Sequence, residues 1–150
     1  MYTRIIAAVD GSDHSMHALT RAGVLASLNG AVLTLCHVTP DSPVPDNLLS
    51  YVGEAERAQS ADELWPMVAR QILQRGREHV VSTVAKPPDI LEDKRHGDPA
   101  NGLIEAAEEL AAELIVVGSR GLTRFSGLVM GSVSQKLAAA ETETDVLIVR

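Results

Sequence analysis

The sequence is poor in aromatic residues and in cysteine. Aromatic residues make up 3% of the 150 positions, whereas hydrophobic residues make up 45%. A core of aliphatic side chains is typical of parallel strands packed by helices and less typical of a β-sandwich. The single cysteine, Cys36, excludes an internal disulfide. Because it lies in an apolar run, we interpret it as a core residue and not as a redox or catalytic thiol.

Basic residues are also few relative to acidic ones. Thirteen Lys and Arg residues face 20 Asp and Glu residues, which gives a net charge of −7. Nucleic acids and anionic membranes select basic patches, so this balance argues against both as the main partner. The sequence has no apolar run of membrane-spanning length. Its first residues lead directly into a predicted strand and do not resemble a signal peptide, so we expect a cytoplasmic protein.

Apolar runs alternate with segments of helical spacing along the whole chain. The predicted strands are 4–9, 31–38, 89–96, 114–117 and 146–149, and the predicted helices are 13–29, 59–84, 100–112 and 132–140. This alternation predicts one α/β domain over residues 1–150: a single doubly wound, five-stranded parallel sheet with helices on both faces. We expect the strand order 3-2-1-4-5.

Local signals set several of these boundaries. Segment 79–84 has strand-like composition, but we assign it to the second helix because Lys86-Pro87-Pro88 stops that helix. Asp98 and Pro99 predict a helix N-cap and first helical position. Residues 132–135, Ser-Val-Ser-Gln, have the form of a capping box. The charges in 89–96 predict an edge strand.

A glycine-rich stretch follows the fourth predicted strand. Gly118, Gly121, Gly127 and Gly131 are followed directly by Ser132 and the last predicted helix. Glycine permits a positive φ and lets a ligand approach the backbone N–H groups closely. The helix start adds unpaired donors and the positive end of the helix dipole. A buried strand that opens into such a loop and helix predicts a nucleotide-binding site.

Other nucleotide and catalytic motifs are missing from the sequence. It contains no Gly-x4-Gly-Lys-Ser/Thr phosphate loop and no Gly-x-Gly-x2-Gly dinucleotide fingerprint. Asp10 has no adjacent carboxylate that would complete a response-regulator acid cluster, and no Ser-His-Asp or Cys-His set is evident. Without an identifiable base or transition-state lysine, efficient hydrolysis of a bound nucleotide is not supported.

The spacing Gly118-x2-Gly121-x9-Gly131-Ser132 resembles the nucleotide-binding motif of the universal stress protein family. Further segments with the same resemblance are Val9-Asp-Gly-Ser12, His37-Val38 followed by Pro40, Gly97-Asp-Pro-Ala100, and Leu114-Ile-Val-Val-Gly-Ser-Arg-Gly121. The resemblance covers nearly the whole chain apart from residues 39–88.

The resemblance implies an adenine nucleotide, ATP with Mg²⁺ or Mn²⁺, and a role for each part of the site. Asp10 would lie near the ribose and adenine, and the backbone of Val38 would hold the adenine edge. The loop from Gly118 would hold the ribose and phosphates, and the start of the last helix would form a triphosphate cradle with two hydroxyls. The implied binding residues are Ala8, Val9, Asp10, Val38, Val117, Gly118, Ser119, Arg120, Gly121, Gly131, Ser132, Val133 and Ser134.

Some of these residues have structural alternatives. Asp10 is also suited to capping the first helix, Gly127 to a turn, and Arg120 and Arg124 to solvent. His14 and His17 are one helical turn apart, but without a nearby third ligand we interpret them as surface residues and not as a metal pair. The choice between adenine and guanine stays open, and so does any protein partner.

The resemblance also implies a homodimer formed through the last strand, 146–149. An apolar edge strand would otherwise be exposed, which favours pairing. The family's usual proline before this strand is replaced by Asp145. The implied function is a nucleotide-dependent regulatory module of the stress response. Two alternatives remain: a slow ATPase, adenylate kinase or nucleotidyl transferase using the same pocket, and a dimeric interaction module that binds no nucleotide.

Overall fold

A computed structural model describes residues 1–122 and 130–150, and the strands in these ranges form one parallel sheet. The strands are β1 (Arg4–Ala8), β2 (Val32–Thr39), β3 (Ile90–His96), β4 (Leu114–Gly118) and β5 (Asp145–Val149). Their order is β3-β2-β1-β4-β5, which confirms the predicted topology. In the central strands, Ile6 lies opposite Thr34 of β2 and Ile115 of β4.

Helices cover both faces of the sheet. They are α1 (Asp13–Asn29), α2 (Ala61–Thr83), α3 (Pro99–Glu109) and α4 (Ser132–Ala139). Helices α1 and α2 bury one aliphatic cluster against the sheet, centred on Leu19, Leu35 and Ile72. Helices α3 and α4 bury a second cluster on the opposite face, which includes Leu103 and Leu137. The predicted two-faced aliphatic core is confirmed.

Side-chain and backbone caps explain where α1 and α3 begin and end. The Ser12 hydroxyl accepts a hydrogen bond from the amide of Ser15 at 3.1 Å and starts α1. Gly30 ends that helix in the left-handed region, with φ 66°. The Asp98 carboxylate accepts from the amide of Asn101 at 3.1 Å and starts α3, with Pro99 in the first turn, as predicted.

Helix α2 is the longest helix in the described ranges. It begins after Ser60, whose amide donates to the Glu63 carboxylate at 3.1 Å, and it carries Pro66 near its start. It continues through residues 79–83, so the helical assignment of segment 79–84 is confirmed except at Val84, which is extended. The preceding loop contains two short 3₁₀ helices, Asp46–Tyr51 and Glu56–Ala58, and it buries Leu48 against the core.

Two sequence predictions of helix ends are wrong. Helix α3 ends at Glu109 and not near Ala112, because the chain turns through Ala111 at φ 49° and the amide of Ala112 donates back to the Ala107 carbonyl at 2.8 Å. The predicted capping box at Ser132 is not formed. Gly131 occupies the N-cap of α4, and no side chain caps this end.

Strand β3 lies at one edge of the sheet, as its charges predict. Arg95 contacts Asp93 at 2.6 Å and Glu109 at 2.7 Å, which ties the edge to α3. Arg77 of α2 contacts Glu92 at 2.8 Å on the other face. Charged side chains on an edge strand discourage pairing with another sheet. Within the described ranges, every helix is too short or too polar to cross a lipid bilayer.

Candidate functional site

A cavity of about 290 Å³ opens at the carboxyl ends of β1, β2 and β4. Ligands of open parallel sheets bind at this edge, where loops from neighbouring strands converge. Every implied site residue except Ser119 lines the cavity. These residues are Ala8, Val9, Asp10, Val38, Val117, Gly118, Arg120, Gly121, Gly131, Ser132, Val133 and Ser134. The residues that the resemblance implies, Ser119 apart, therefore share one cavity.

The structure adds wall residues that the motif did not identify. They are Ser15, Cys36, His37, Pro40, Ser42, Pro45, Trp65, Pro99, Leu103 and Leu122. Most come from the end of β2, the loop after it and the starts of helices, where glycine spacing gives no signal. One available signal was His37, a polar residue inside a buried strand. Another was Trp65, the only tryptophan of the chain.

Asp10 organises the turn between β1 and α1. Its Oδ1 accepts from the Ser12 amide at 2.9 Å and from the Ser12 hydroxyl at 2.6 Å. Ser12, not Asp10, caps α1, so the capping alternative for Asp10 is wrong. The other carboxylate oxygen, Oδ2, faces the glycine loop: a Cβ at Gly121 would lie 2.9 Å from it. Asp10 thus presents an acceptor oxygen to the cavity.

Close packing, and not a positive φ, explains Gly118. A Cβ there would lie 2.8 Å from the carbonyl group of His14 on α1, so only glycine lets α1 approach the end of β4 this closely. Among the described glycines, positive φ occurs at Gly11, Gly30 and Gly97. The expectation that the loop glycines supply left-handed turns is therefore wrong for Gly118, Gly121 and Gly131.

A small hydrogen-bond network joins the glycine loop to α4. The Gly131 amide donates to the Ser119 carbonyl at 2.6 Å, and the buried Ser134 hydroxyl lies 3.1 Å from the same oxygen and 3.0 Å from the Gly131 carbonyl. The Ser119 amide donates to the Val149 carbonyl at 2.7 Å. These groups hold the loop in place. The single hydroxyl proton of Ser134 is already engaged within the chain.

The first turn of α4 forms the polar end of the cavity. Ser132 and Val133 line it, and Gly131 provides no side-chain cap. The first amides of a helix lack intrahelical acceptors and lie at the positive end of its dipole. Arg120 is exposed at the same rim, whereas Lys136 is paired with Asp98 at 2.7 Å. This end of the cavity suits an anion.

The opposite end of the cavity contains a buried histidine. His37 is 3% exposed, and its Nδ1 lies 2.9 Å from the carbonyl oxygen of Val9. A carbonyl oxygen only accepts, so Nδ1 carries the proton and Nε2 is the bare nitrogen. Burial lowers the pKa of His37, against the smaller opposing effects of the Val9 carbonyl and the Asp10 carboxylate. The imidazole is therefore neutral near pH 7.

Aliphatic and aromatic groups surround this end. Val38 packs closely against α3, where a Cβ at Gly102 would lie 3.0 Å from both Val38 methyl groups. The Trp65 indole donates its N–H to the Ser42 carbonyl at 2.7 Å and places its ring 6.0 Å from the imidazole of His37, centroid to centroid. A planar, largely apolar group would match these walls.

The described residues contain no group of three His, Cys, Asp or Glu side chains that could hold a metal ion by themselves. Of the two histidines interpreted from sequence as surface residues, His17 is exposed, whereas His14 is half-buried and its Nδ1 is enclosed. A divalent ion at this site would accompany the phosphates of a nucleotide. Two residues considered from sequence, Arg124 and Gly127, lie outside the described ranges.

This chain is similar to known proteins in both its sequence and its fold. The family model described as "Universal stress protein family" matches residues 1–150. The stress response protein NhaX of Bacillus subtilis is 34% identical, covering 98% of this chain and 97% of its own. A crystal structure of a universal stress protein in complex with cAMP is 30% identical, with a TM-score of 0.72 and coverage of 99% and 97%.

The similarity extends to more distant structures of the same fold. Universal stress protein UspA from Lactobacillus plantarum superposes with a TM-score of 0.78 at 24% identity, covering 99% of this chain and 98% of that one. The parallel sheet of order 3-2-1-4-5, the glycine motif at its carboxyl edge and the full-length family match agree with one another. The chain belongs to the universal stress protein family.

Proposed function

We propose that this protein binds ATP with Mg²⁺ or Mn²⁺ and acts as a nucleotide-dependent regulatory module of the stress response. One observation carries the proposal: a single cavity joins an uncapped helix N-terminus to an apolar pocket at the carboxyl edge of the sheet. A nucleotide has the same two-part chemistry, an anionic tail and a flat apolar base. The cAMP complex of a relative 30% identical to this chain supports an adenine ligand.

The chemistry of the walls suggests one orientation of the ligand. We place the phosphates at the start of α4, near Ser132 and Val133, and the base against Val38 and Trp65. Asp10 then lies between the two ends, where its Oδ2 is suited to accept a hydrogen bond from a ribose hydroxyl.

We further propose a cytoplasmic homodimer that pairs through β5. This strand is the other edge of the sheet, and Leu147 is 36% exposed on it. Unlike β3, it presents apolar residues after its first position, Asp145. An apolar edge strand is a natural site for pairing with a second copy.

The phosphate end is tested by replacing Ser132 with proline. Ser132 is the first residue of α4, a position where proline is favoured because its missing N–H has no intrahelical acceptor. Gly131 has φ −75° and ψ 162°, which is compatible with a following proline. Ser132→Pro thus removes one amide donor with little disturbance of the helix, and Ser132→Ala is the matched control that removes only the hydroxyl.

Isothermal titration with ATP, with and without Mg²⁺, gives the outcome. We expect Ser132→Pro to weaken ATP binding beyond Ser132→Ala by about tenfold to a hundredfold, the value of a hydrogen bond to a charged group. Equal affinities for the two variants would place the phosphates elsewhere. A flat titration of the unaltered protein would instead identify an interaction module that binds no nucleotide.

A further inference from the structure

An ion pair joins α3 to α4 beside the polar end of the cavity. The Lys136 ammonium donates to the Asp98 carboxylate at 2.7 Å. Asp98 is the N-cap of α3, and the next residue, Pro99, lines the cavity. Lys136 lies four residues after Ser132, which begins α4 and lines the same cavity. The ammonium therefore lies beside the rim of the surface where we place the phosphates.

Helix geometry directs the Lys136 side chain toward that surface. Residues four apart share one face of a helix and are about 6 Å apart along its axis. Helical side chains point back toward the N-terminus, so the stem of Lys136 runs from the last turn of α4 toward Ser132. The contact with Asp98 agrees with this direction, because the N-terminal ends of both α3 and α4 border the cavity.

The ion pair leaves the ammonium available to a ligand. The side chains of Lys136 and Asp98 are 59% and 36% exposed. Exposed ion pairs contribute little to stability, so exchanging this contact for another costs little. An ammonium has three N–H donors, and the hydrogen bond to Oδ2 of Asp98 uses one of them. The other carboxylate oxygen, Oδ1, accepts from the Asn101 amide at 3.1 Å and holds Asp98 in place.

We infer that Lys136 binds the outermost phosphate of a nucleoside triphosphate and so lets this protein distinguish ATP from AMP. The inference rests on the proposed nucleotide site, and it adds to that site a residue outside the glycine motif. A triphosphate extends farther from the ribose than a monophosphate, so only the longer tail reaches the ammonium. Hydrogen bonds between an ammonium and a phosphate are charge-assisted and stronger than neutral ones. Asp98 is a positioning residue that keeps the ammonium at the rim.

The two members of the ion pair should have opposite effects on ATP binding. Lys136→Met removes the charge and keeps an unbranched stem, so we expect it to weaken ATP binding by about tenfold, the value of one hydrogen bond to a charged group. Asp98→Asn removes the competing carboxylate and keeps a good N-cap residue, so ATP should bind at least as tightly as to the unaltered protein. A purely structural ion pair would instead weaken binding in both variants, and that result would overturn the inference.

AMP serves as the ligand control. It shares the base and ribose of ATP, so its affinity for Lys136→Met should stay within about twofold of its affinity for the unaltered protein. Lys136→Arg keeps a cation that pairs well with phosphate and should retain the ATP affinity within about threefold. Loss of AMP binding in Lys136→Met would show that the substitution damages the whole cavity and would contradict a specific role.

Lys86→Met is the matched control for net charge. Lys86 lies beyond the end of α2 at Thr83, about 27 Å along the helix axis from Trp65 in the cavity wall. The substitution removes the same charge from a distant surface, so the ATP affinity should not change. An equal loss in Lys86→Met and Lys136→Met would show that net charge, and not a contact with Lys136, controls binding.

A second measurement observes the ammonium directly. The chain has three lysines, Lys86, Lys94 and Lys136, so reductive ¹³C-methylation gives few resonances and keeps each positive charge. The Lys136→Arg variant assigns the resonance of Lys136 by its absence. We expect this resonance to shift on saturation with ATP and not with AMP. A resonance that shifts alike with both nucleotides, or with neither, would refute the role of Lys136.

The outcomes separate this inference from the proposed function. If the unaltered protein binds no nucleotide, the proposed function fails and the inference fails with it. If it binds ATP and Lys136→Met binds ATP equally well, the nucleotide site stands and the role of Lys136 is wrong. If Lys136→Met weakens ATP binding alone, both are supported.

Discussion

The amide of Gly131 donates to the carbonyl oxygen of Ser119 at 2.6 Å, and the Ser134 hydroxyl lies 3.1 Å from the same oxygen. One carbonyl thus joins the end of β4 to the start of α4. Two groups that the motif suggested as phosphate donors, the Gly131 amide and the Ser134 hydroxyl, are used within the chain to shape the loop. The phosphate contacts of the proposed site must come from other groups of this turn.

Because the Ser134 hydroxyl is bonded within the chain and the Ser132 side chain is exposed, we expect replacement of the two serines to affect the free energy of unfolding differently. Ser134→Ala removes a buried hydroxyl that bonds two backbone carbonyls, so we expect it to lower the free energy of unfolding by about 1–2 kcal/mol. Ser132→Ala alters an exposed side chain and should change it by less than about 0.5 kcal/mol. Urea denaturation of the two variants measures both values. A stable Ser134→Ala protein that no longer binds ATP would instead make this hydroxyl a ligand.

Ala111 offers a test of backbone strain at the end of α3. It adopts φ 49°, a left-handed conformation that costs an L-residue about 1–2 kcal/mol and costs glycine much less. Ala111→Gly should therefore raise the free energy of unfolding by about 0.5–1 kcal/mol, measured by thermal or urea denaturation.

The matched control is Ala138→Gly, at an exposed helical position of α4. There the same substitution should lower the free energy of unfolding by about 1 kcal/mol, because glycine loses more backbone entropy in a helix. Destabilisation by both substitutions would show that Ala111 is not strained.

The buried neutral imidazole of His37 predicts a pH dependence of stability. Burial lowers its pKa in the folded protein, whereas the unfolded chain protonates with the ordinary value near 6.5. Below that pH the unfolded state takes up a proton that the folded state does not. The free energy of unfolding should then fall as the pH falls, by up to about 1.4 kcal/mol per pH unit, until the folded-state pKa is reached.

Urea denaturation between about pH 5 and pH 7.5 measures this slope, and His37→Asn is the comparison because asparagine does not titrate. The other four histidines and the carboxylates are present in both proteins and contribute to both curves. We expect the variant to be less pH-dependent below pH 6.5. Parallel curves for the two proteins would show that His37 is not held neutral by the fold.

The doubly wound sheet could be predicted because it follows from local patterns, whereas twelve of the 22 residues that line the cavity were implied by the family resemblance. Alternating apolar runs and helices determine a doubly wound sheet, and the glycine spacing marks the loop after β4. Even the ambiguous segment 79–84 was assigned correctly up to Thr83, since the prolines at positions 87 and 88 predicted a helix end close by. These features depend on residues that are close together in the chain.

What the sequence did not predict depends on contacts between distant residues. Glycine is required at position 118 because the backbone of His14 lies so close to it, and the tautomer of His37 is determined by the carbonyl of Val9. Trp65 reaches the cavity because α2 packs on the same face of the sheet to which the His37 side chain points. Neither packing nor a tautomer is visible in a motif, so the roles of the glycines and the walls of the cavity around His37 required the folded structure.

The proposed dimer through β5 is tested by removing one outward backbone donor. The Asp145 amide donates to the Glu113 carbonyl, and the Val149 carbonyl accepts from the Ser119 amide. Alternate residues of β5, beginning with Asp145 and ending with Val149, therefore direct their backbone N–H and C=O groups at β4. Ile148 is adjacent to Val149 and so belongs to the other alternate set, whose N–H groups face the open edge of the sheet. Ile148→Pro therefore removes an outward donor and leaves the β4–β5 hydrogen bonds intact.

Ile148→Ala is the matched control, because it loses nearly the same partly buried side chain and keeps the N–H group. By size-exclusion chromatography with light scattering, we expect the unaltered protein and Ile148→Ala to be dimers and Ile148→Pro to be a monomer at micromolar concentration. Circular dichroism should show the same secondary structure for the two variants. A dimeric Ile148→Pro protein would place the interface on another surface, and a monomeric unaltered protein would remove the dimer from the proposal.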